Sequence, residues 1–527
     1  MQADVFGNHD LGIPYQPIAE LFARYRIRDP GKTAIVDLDG DSSITFGELD
    51  RLTTDIAADL KRRGLQKGDR VLLLSDECLE KLLIWFGVWR IGAVVCPLNI
   101  EINEKMMVEL TRSVNPKLIF YHKDIDAAAL VGDHPAPRVR FGRWGRTADP
   151  QDEFFAKVQR GRRADEVPER NDPEDVACIF CTSGTTARPK IVVYDHCAYW
   201  LNGLSTLEFL GLTEDDRTLE YRSFGWNSAQ VLSLMPFLQK GLTIHIAKRF
   251  SHSRFFEWIK TRGITFSAGV PTVLNMLLNK PLGTTAKDVP TLRLMTCSTA
   301  PLTAQQWTQF EEMYGVRLLQ CYGMSEAGWV CGNRTYKNKI GTVGVPALHQ
   351  EFEIVGADGK PVAVGTEGEI TAGGPHTAIG YLRDDGTVEP IRPARIKTGD
   401  LGIMDDEGFV RVSGRTKDII IRGGVNIAPL EIDEVLLKHP GILDVAAVGV
   451  PDKIYGEEVV CYVAPKDQSL TEESVLQHAR QHLPPAKVPK QVFIVAELPK
   501  SDRGKVLRDK LREDWIKRTS SVSANVV

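Results

Sequence analysis

The chain has 527 residues, 43% of them hydrophobic and 25% charged, with a formal net charge of −4. That length exceeds one ordinary domain, and the composition is that of a globular chain with a sizeable core, not of a disordered or fibrous one. The slight acidity leaves no basic footprint for nucleic acid, and no apolar run approaches the ~18 residues that a membrane span needs.

Nine cysteines without framework spacing fit a reducing compartment. Neither end carries a signal-peptide pattern or a Ser-Lys-Leu address, so the cytoplasm is the expected location. A first helix is expected near residues 18–25. Residues 33–37 and 43–46 read as a hairpin turning at Asp39-Gly40. A polar helix over 46–63, an apolar strand over 70–74, an apolar helix over 79–91 and strands over 93–97 and 117–121 follow. This alternation predicts a mostly parallel sheet covered by helices. Residues 131–175 are richer in Pro, Gly and charge and read as a surface connection.

Residues 178–190 read CIFCTSGTTARPK. The apolar start is a buried strand end. Cys178 and Cys181 form a C-x-x-C with no second pair to complete a zinc site, and they read as core-packing residues more readily than as a redox pair. The run Thr182, Ser183, Gly184, Thr185, Thr186 offers rotatable hydroxyls around a glycine, and Lys190 adds a positive charge. Exposed N–H groups beside a glycine make an anion nest suited to a polyphosphate. No Gly-Lys-Ser/Thr follows, so this is not a Walker A loop. Taken alone, the run reads more readily as a Ser/Thr-rich surface turn, and only the motifs further along overturn that.

Next come a helix over 198–209, a strand over 219–223 leading into Phe224-Gly225-Trp226-Asn227, an apolar helix over 231–238, a strand over 242–247, a helix over 255–261 and a strand over 265–270. Residues 292–297 form a strand running into Ser298-Thr299-Ala300-Pro301, and 316–320 one running into Cys321-Tyr322-Gly323-Met324-Ser325-Glu326. Strands that end in small-residue loops mark the usual ligand side of an α/β sheet. Beyond residue 340, short Val- and Ile-rich strands between glycine turns predict an antiparallel, barrel-like region. From Lys417 a fresh βαβ-like unit begins, with helices over 430–438 and 471–482. The expected fold is α/β: a large N-terminal domain, 1–416, of mostly parallel sheets with helices plus a barrel-like subdomain, and a small mobile α+β C-terminal domain, 417–527.

In this order the motifs resemble those of the adenylate-forming enzymes, the superfamily of acyl-CoA synthetases, adenylation domains and luciferases. The resemblance rests on the phosphate loop at 182–190, Ser298-Thr299-Ala300-Pro301, Tyr322-Gly323-Met324-Ser325-Glu326, Gly380-Tyr381-Leu382, Lys397-Thr398-Gly399-Asp400, Gly414-Arg415-Thr416-Lys417-Asp418, Gly423-Gly424 and Ser501-Asp502-Arg503-Gly504-Lys505. It spans nearly the whole chain. It implies an AMP-forming acyl-CoA ligase that uses ATP, Mg²⁺ and coenzyme A on a small carboxylic acid. A stand-alone enzyme loading a carrier protein is the alternative, and a homodimer is compatible with either. Catalysis of this kind is positioning and charge stabilisation. The resemblance implies that Thr182–Thr186 and Lys190 hold phosphates and that Glu326 takes Mg²⁺. Tyr322, Gly323, Ser325, Ser298, Thr299 and Ala300 would surround adenine, and Asp400 and Arg415 the ribose and phosphate. Lys505 would serve adenylation, Lys417 would be the pivot, and Gly423 and Gly424 would admit the pantetheine thiol. A silent nucleotide-binding protein is disfavoured because Lys190, Glu326, Asp400 and Lys505 are all present. Gly323-Met324-Ser325-Glu326-Ala327 approaches a hydrolase G-x-S-x-G elbow, with Ala327 in place of the second glycine. That reading leaves the phosphate loop and Lys505 unexplained.

Departures from the family pattern are Ala187 and Ile191, where glycines are usual, and Ser325 for threonine. The acyl pocket is expected from Phe224–Ala229, among them Trp226 and Asn227, with Pro271, Thr296–Ala300 and Cys321. The stretch after Phe224 carries no carboxylate to hold an amino-acid ammonium. Trp226 and Cys321 would narrow the pocket to a short or compact acid.

Overall fold

The computed structural model describes residues 13–144, 153–160, 171–182, 189–299, 302–501 and 505–524. Its strands assemble into four sheets. The first runs in the order Val388–Pro390, Gly380–Leu382, Ile191–Asp195, Val176–Cys181, Val94–Cys96, Arg70–Leu74, Leu118–His122, Arg138–Phe141. Its last five strands pair in parallel, and those near Ile191–Asp195 antiparallel. The second has nine strands, with the parallel run Leu294–Cys297, Phe266–Ser267, Arg217–Glu220, Thr243–Ile246, Thr33–Asp37 at its centre.

Between these sheets lies the main apolar core. The helix Phe46–Arg62 opens on a capping box, Thr45 with Glu48, which satisfies two end donors. Its apolar stripe packs on the helix Leu79–Arg90, every residue of which is buried, as an all-round apolar helix requires. Arg90 Nε donates to Thr53 Oγ1 at 2.8 Å across that contact.

The third sheet is antiparallel, in the order Glu351–Val355, Gly368–Gly373, Ile396–Met404, Val410–Arg415. Val343 and Gly344 exchange backbone bonds with Val410 at 2.8 Å, continuing the strip past its last strand. The fourth sheet uses only residues after 419. Within it, Gly456–Pro465, the helix Glu472–His482 and Gln491–Ile494 form a true βαβ unit with parallel strands.

The observed elements revise the sequence reading in three places. Residues 131–175 are not a mere surface connection. Arg138–Phe141 is the edge strand of the first sheet, and Phe154, Phe155 and Val158 are buried in the main core. The Phe120 and Phe154 rings meet at 4.9 Å, an apolar contribution that the surrounding charge concealed. The strand expected over 265–270 shortens to Phe266–Ser267. The strand expected to end at Gln320 runs on to Met324, because its outer half leaves Leu294–Cys297 and pairs antiparallel with Gly328–Gly332. The Tyr322–Glu326 motif is therefore a hairpin end, not a loop.

At Gly87 an added Cβ would lie 2.3 Å from Ile56 Cγ2, so the two core helices meet over a missing side chain. Gly87→Ala is expected to cost ~1–3 kcal/mol through overpacking. Thermal melting of the single variant beside Gly87→Ala/Ile56→Ala checks this, and the second should recover part of the loss.

Candidate active site

The base of the phosphate loop is a two-way clasp: Thr182 N donates to Lys190 O at 2.9 Å, and Lys190 N to Thr182 Oγ1 at 3.0 Å. Ser183, Gly184, Thr185, Thr186 and Ala187 lie outside the described residues. Lys190 is exposed, and its Nζ donates to Tyr381 Oη at 3.3 Å while sitting 4.6 Å from that ring's centre. The Tyr381 hydroxyl in turn donates to Glu326 Oε1 at 3.1 Å. Burial, then the Glu326 carboxylate, pushes the Tyr381 phenol well up, so it stays a neutral donor.

Three separate elements make this chain of contacts. Tyr381 comes from the strand Gly380–Leu382, paired opposite Val192 just after Lys190. Glu326 comes from the turn after Met324, held where Ala378 N donates to Glu326 O at 2.8 Å. The Glu326 side chain is buried, and Tyr381 is its one side-chain hydrogen bond among the described residues. A single carboxylate with spare oxygen lone pairs fits Mg²⁺, which takes one or two carboxylates and completes its shell from phosphate and water.

A second array lies along the third sheet. Tyr322 Oη donates to Asp400 Oδ2 at 2.6 Å, and Arg415 Nε to Asp400 Oδ1 at 2.8 Å. Asp400 and Arg415 are direct cross-strand partners, which sets this contact by register. Burial and then the Asp400 carboxylate hold the Tyr322 phenol well above its usual range, so it remains a donor. Each Asp400 oxygen keeps a lone pair for another donor, such as a ribose hydroxyl. Gly323 has no room for a side chain: a Cβ there would lie 2.4 Å from Gly328 O.

Thr299 has φ +80°, unusual for a β-branched residue and of the kind found at binding sites. The hydroxyls of Ser298 and Thr299 are buried without a hydrogen-bond partner among the described residues. Ala300 lies outside them.

Around the expected acyl pocket the residues differ in character. Phe224 is fully buried in the main core. Trp226 is partly exposed and belongs to none of the apolar clusters among the described residues. Asn227 is buried; its Nδ2 donates to Ser325 O at 3.4 Å and its Oδ1 has no partner among the described residues. Cys321 is buried, its thiol pushed up to about 12 by that burial, so it is inert. Cys178 and Cys181 are likewise buried, each in an apolar cluster and neither in a disulfide among the described residues, which matches the core-packing reading.

In the C-terminal region, Gly423 and Gly424 have φ +58° and +83° between the paired residues Arg422 and Val425. This is a type I′ hairpin turn, for which two left-handed residues are needed. A Cβ on Gly424 would meet nothing within 4 Å, whereas Gly423 N donates to Tyr455 O at 2.8 Å, so the turn is held on one side and open on the other. Lys417 lies in a short turn and its Nζ is 3.8 Å from Asp509 Oδ2 of the final helix. Lys505 is set by a small hairpin in which its N–H donates to Ser501 Oγ at 3.2 Å.

The AMP-binding enzyme profile matches residues 22–382, and that of the AMP-binding enzyme C-terminal domain residues 431–505. The chain belongs to the AMP-binding enzyme family. A probable CoA ligase of Humulus lupulus is 30% identical over 92% of this chain and 93% of that protein. A sulfoacetate–CoA ligase of Cupriavidus necator is 30% identical over 94% of this chain and 97% of its own length. ATP-bound MatB from Rhodopseudomonas palustris superposes with a TM-score of 0.84 at 28% identity, over 94% of this chain and 99% of that one. This AMP-binding enzyme is an acid–thiol ligase: it activates a carboxylic acid with ATP through an acyl-adenylate and transfers the acyl group to coenzyme A. No described helix is long and apolar enough to cross a membrane.

Tyr381 is the site residue that sequence reasoning noted in a motif but gave no role. Its partners lie 191 and 55 residues away, so only the sheet pairing exposes the bridge. Hydrogen bonds to charged groups are worth about 1.5–3 kcal/mol, so Tyr381→Phe is expected to weaken ATP binding by ~10-fold or more while leaving the KM for the acid unchanged. Calorimetric titration with ATP reads this directly. An affinity equal to the parent's removes Tyr381 from the site.

Proposed function

We propose that the Lys190–Tyr381–Glu326 chain is the triphosphate and metal end of the site, and Tyr322–Asp400–Arg415 the nucleoside end. The observation that carries this reading is the pair of hydrogen-bonded arrays themselves, each assembled from distant segments and each joining an acidic and a basic side chain with a phenol that donates to the acidic one. Lys190 and the loop hydroxyls neutralise the departing pyrophosphate. Glu326 supplies one oxygen to Mg²⁺, which when bound draws charge from the phosphates. Asp400 orients the ribose and Arg415 braces Asp400. Lys505 brings a cation to the α-phosphate during adenylation only. Residues 1–416 and 417–527 are two units, and the latter turns at Lys417 to bring the Gly423–Gly424 tip into the site for thiol attack.

The acid is short or compact. Trp226 and Cys321 support this by their bulk at the positions expected to wall the pocket, and Asn227 offers a buried amide oxygen to a polar acid. The nine cysteines, none in a disulfide among the described residues, support a cytoplasmic location.

Pyrophosphate release over a panel of carboxylic acids, with and without coenzyme A, tests the whole reading. Release must depend on the acid, and sustained turnover on coenzyme A. In the same panel Trp226→Ala should shift preference toward longer acids by a graded ~1–3 kcal/mol per contact. An early-melting variant with the parent's ranking would place Trp226 in a purely structural role.

Lys505→Ala should lower ATP–pyrophosphate exchange by ~10²–10³, the effect of losing one preorganised charge. Thioester formation from synthetic acyl-adenylate should stay at the parent rate. Equal loss in both steps would sink the division of labour.

A further inference from the structure

The loop after the strand Arg217–Glu220 is anchored by buried side chains from remote parts of the chain. Glu77 Oε1 accepts from Ser223 Oγ at 2.9 Å and from Phe224 N at 3.0 Å. The same oxygen takes Lys81 Nζ at 2.6 Å, and Lys81 Nζ also donates to Ser75 O at 3.2 Å. Both charges are almost fully buried, with 3% and 1% of their side chains exposed. From the other side, Gln230 Nε2 donates to Phe224 O at 2.6 Å, and its Oε1 accepts from Tyr199. Both backbone polar groups of Phe224 are thus held by side chains. A second buried pair lies beneath: Arg222 Nη2 contacts Glu220 Oε2 at 2.6 Å and reaches Ser228 O at 3.4 Å. A π-helical turn over Gln230–Leu234 directly follows, a form common beside functional sites.

A buried ion pair adds little stability over apolar residues of the same volume. Glu77 and Lys81 therefore do something that two methionines would not. We infer that the Glu77–Lys81 pair is a positioning device for acid recognition: Glu77 fixes the pitch of the loop bearing Trp226 and Asn227, and Lys81 holds the Glu77 carboxyl group aimed at it. This rests on the pocket reading above. The loop has little slack, since a Cβ on Gly225 would lie 3.0 Å from Pro97 O, so a shift at Ser223–Phe224 passes on to Trp226.

The test uses variants of the full chain. Glu77→Met/Lys81→Met removes both charges at similar volume and should fold. A displacement of ~1 Å can cost ~10²-fold, so its KM for the preferred acid is expected to rise ~10–100-fold, with a flattened ranking of acids and an ATP affinity within ~2-fold of the parent. Glu77→Gln/Lys81→Met keeps an oxygen acceptor for Ser223 and Phe224 and should restore most of the acid KM. Ser223→Ala, which leaves the buried pair intact, should raise that KM by ~3–10-fold, the worth of one ordinary hydrogen bond, and covers the case in which the double variants do not fold. Parent-like KM and ranking in the folded Met/Met variant, or in Ser223→Ala, overturns the proposal. So does a Gln/Met variant as impaired as Met/Met. An unchanged ranking in Trp226→Ala sinks the pocket reading itself. A changed ranking there with parent-like Met/Met kinetics sinks the positioning role alone.

Discussion

The site depends above all on one strand pairing, that of Gly380–Leu382 against Ile191–Asp195. It sets Tyr381 opposite Val192, beside the lysine that closes the phosphate loop, and leaves the phenol free to reach Glu326. A shift of this pairing by one residue would turn Tyr381 to the other face of the sheet and break both contacts. The far side of the same strand pairs with Val388–Pro390, so Gly380–Leu382 is held from both sides although it is only three residues long.

A second constraint is the change of partner along Arg317–Met324. Its inner half is parallel to Leu294–Cys297 and its outer half antiparallel to Gly328–Gly332, with a register shift between Tyr322 and Gly323. Such irregularities re-aim side chains. Here the change of partner carries Tyr322 toward Asp400 on the third sheet and Glu326 toward Tyr381 on the first. One hairpin therefore joins three sheets, and Gly323 is obligatory in it because the facing backbone leaves no space.

Much of the fold was legible in the sequence because its signals are local. The strands at 33–37 and 70–74 and the capped helix at 46–62 follow from period and punctuation. What was hidden is non-local. Phe154 and Phe155 sit among charges that mask a core helix, and the extension of Arg317–Met324 is imposed by its partner, not by its own residues. For the site, ordered motifs pointed to Lys190, Glu326, Tyr322, Asp400 and Arg415, and five of these side chains do meet in two hydrogen-bonded groups. Tyr381 stood in a motif without a role and nothing near Glu77 marks it; each acquires a role only through a partner 55 to 191 residues away.

The two halves of the chain also differ in how firmly they are tied. The ladders of the first three sheets end at Arg415 and the fourth begins at Ile420, so a rotation at Lys417 breaks no strand pairing among the described residues. The contact made by Lys417 itself, to Asp509 at 3.8 Å, joins side chains that are each about half exposed. Pairs of this kind contribute ~0–1 kcal/mol and are screened by salt. The Glu77–Lys81 and Glu220–Arg222 pairs stand at the opposite extreme, where breaking one partner leaves a buried charge. A half-exposed ionic contact thus lies between the third and fourth sheets at Lys417, whereas two buried ones hold the loop that follows Glu220.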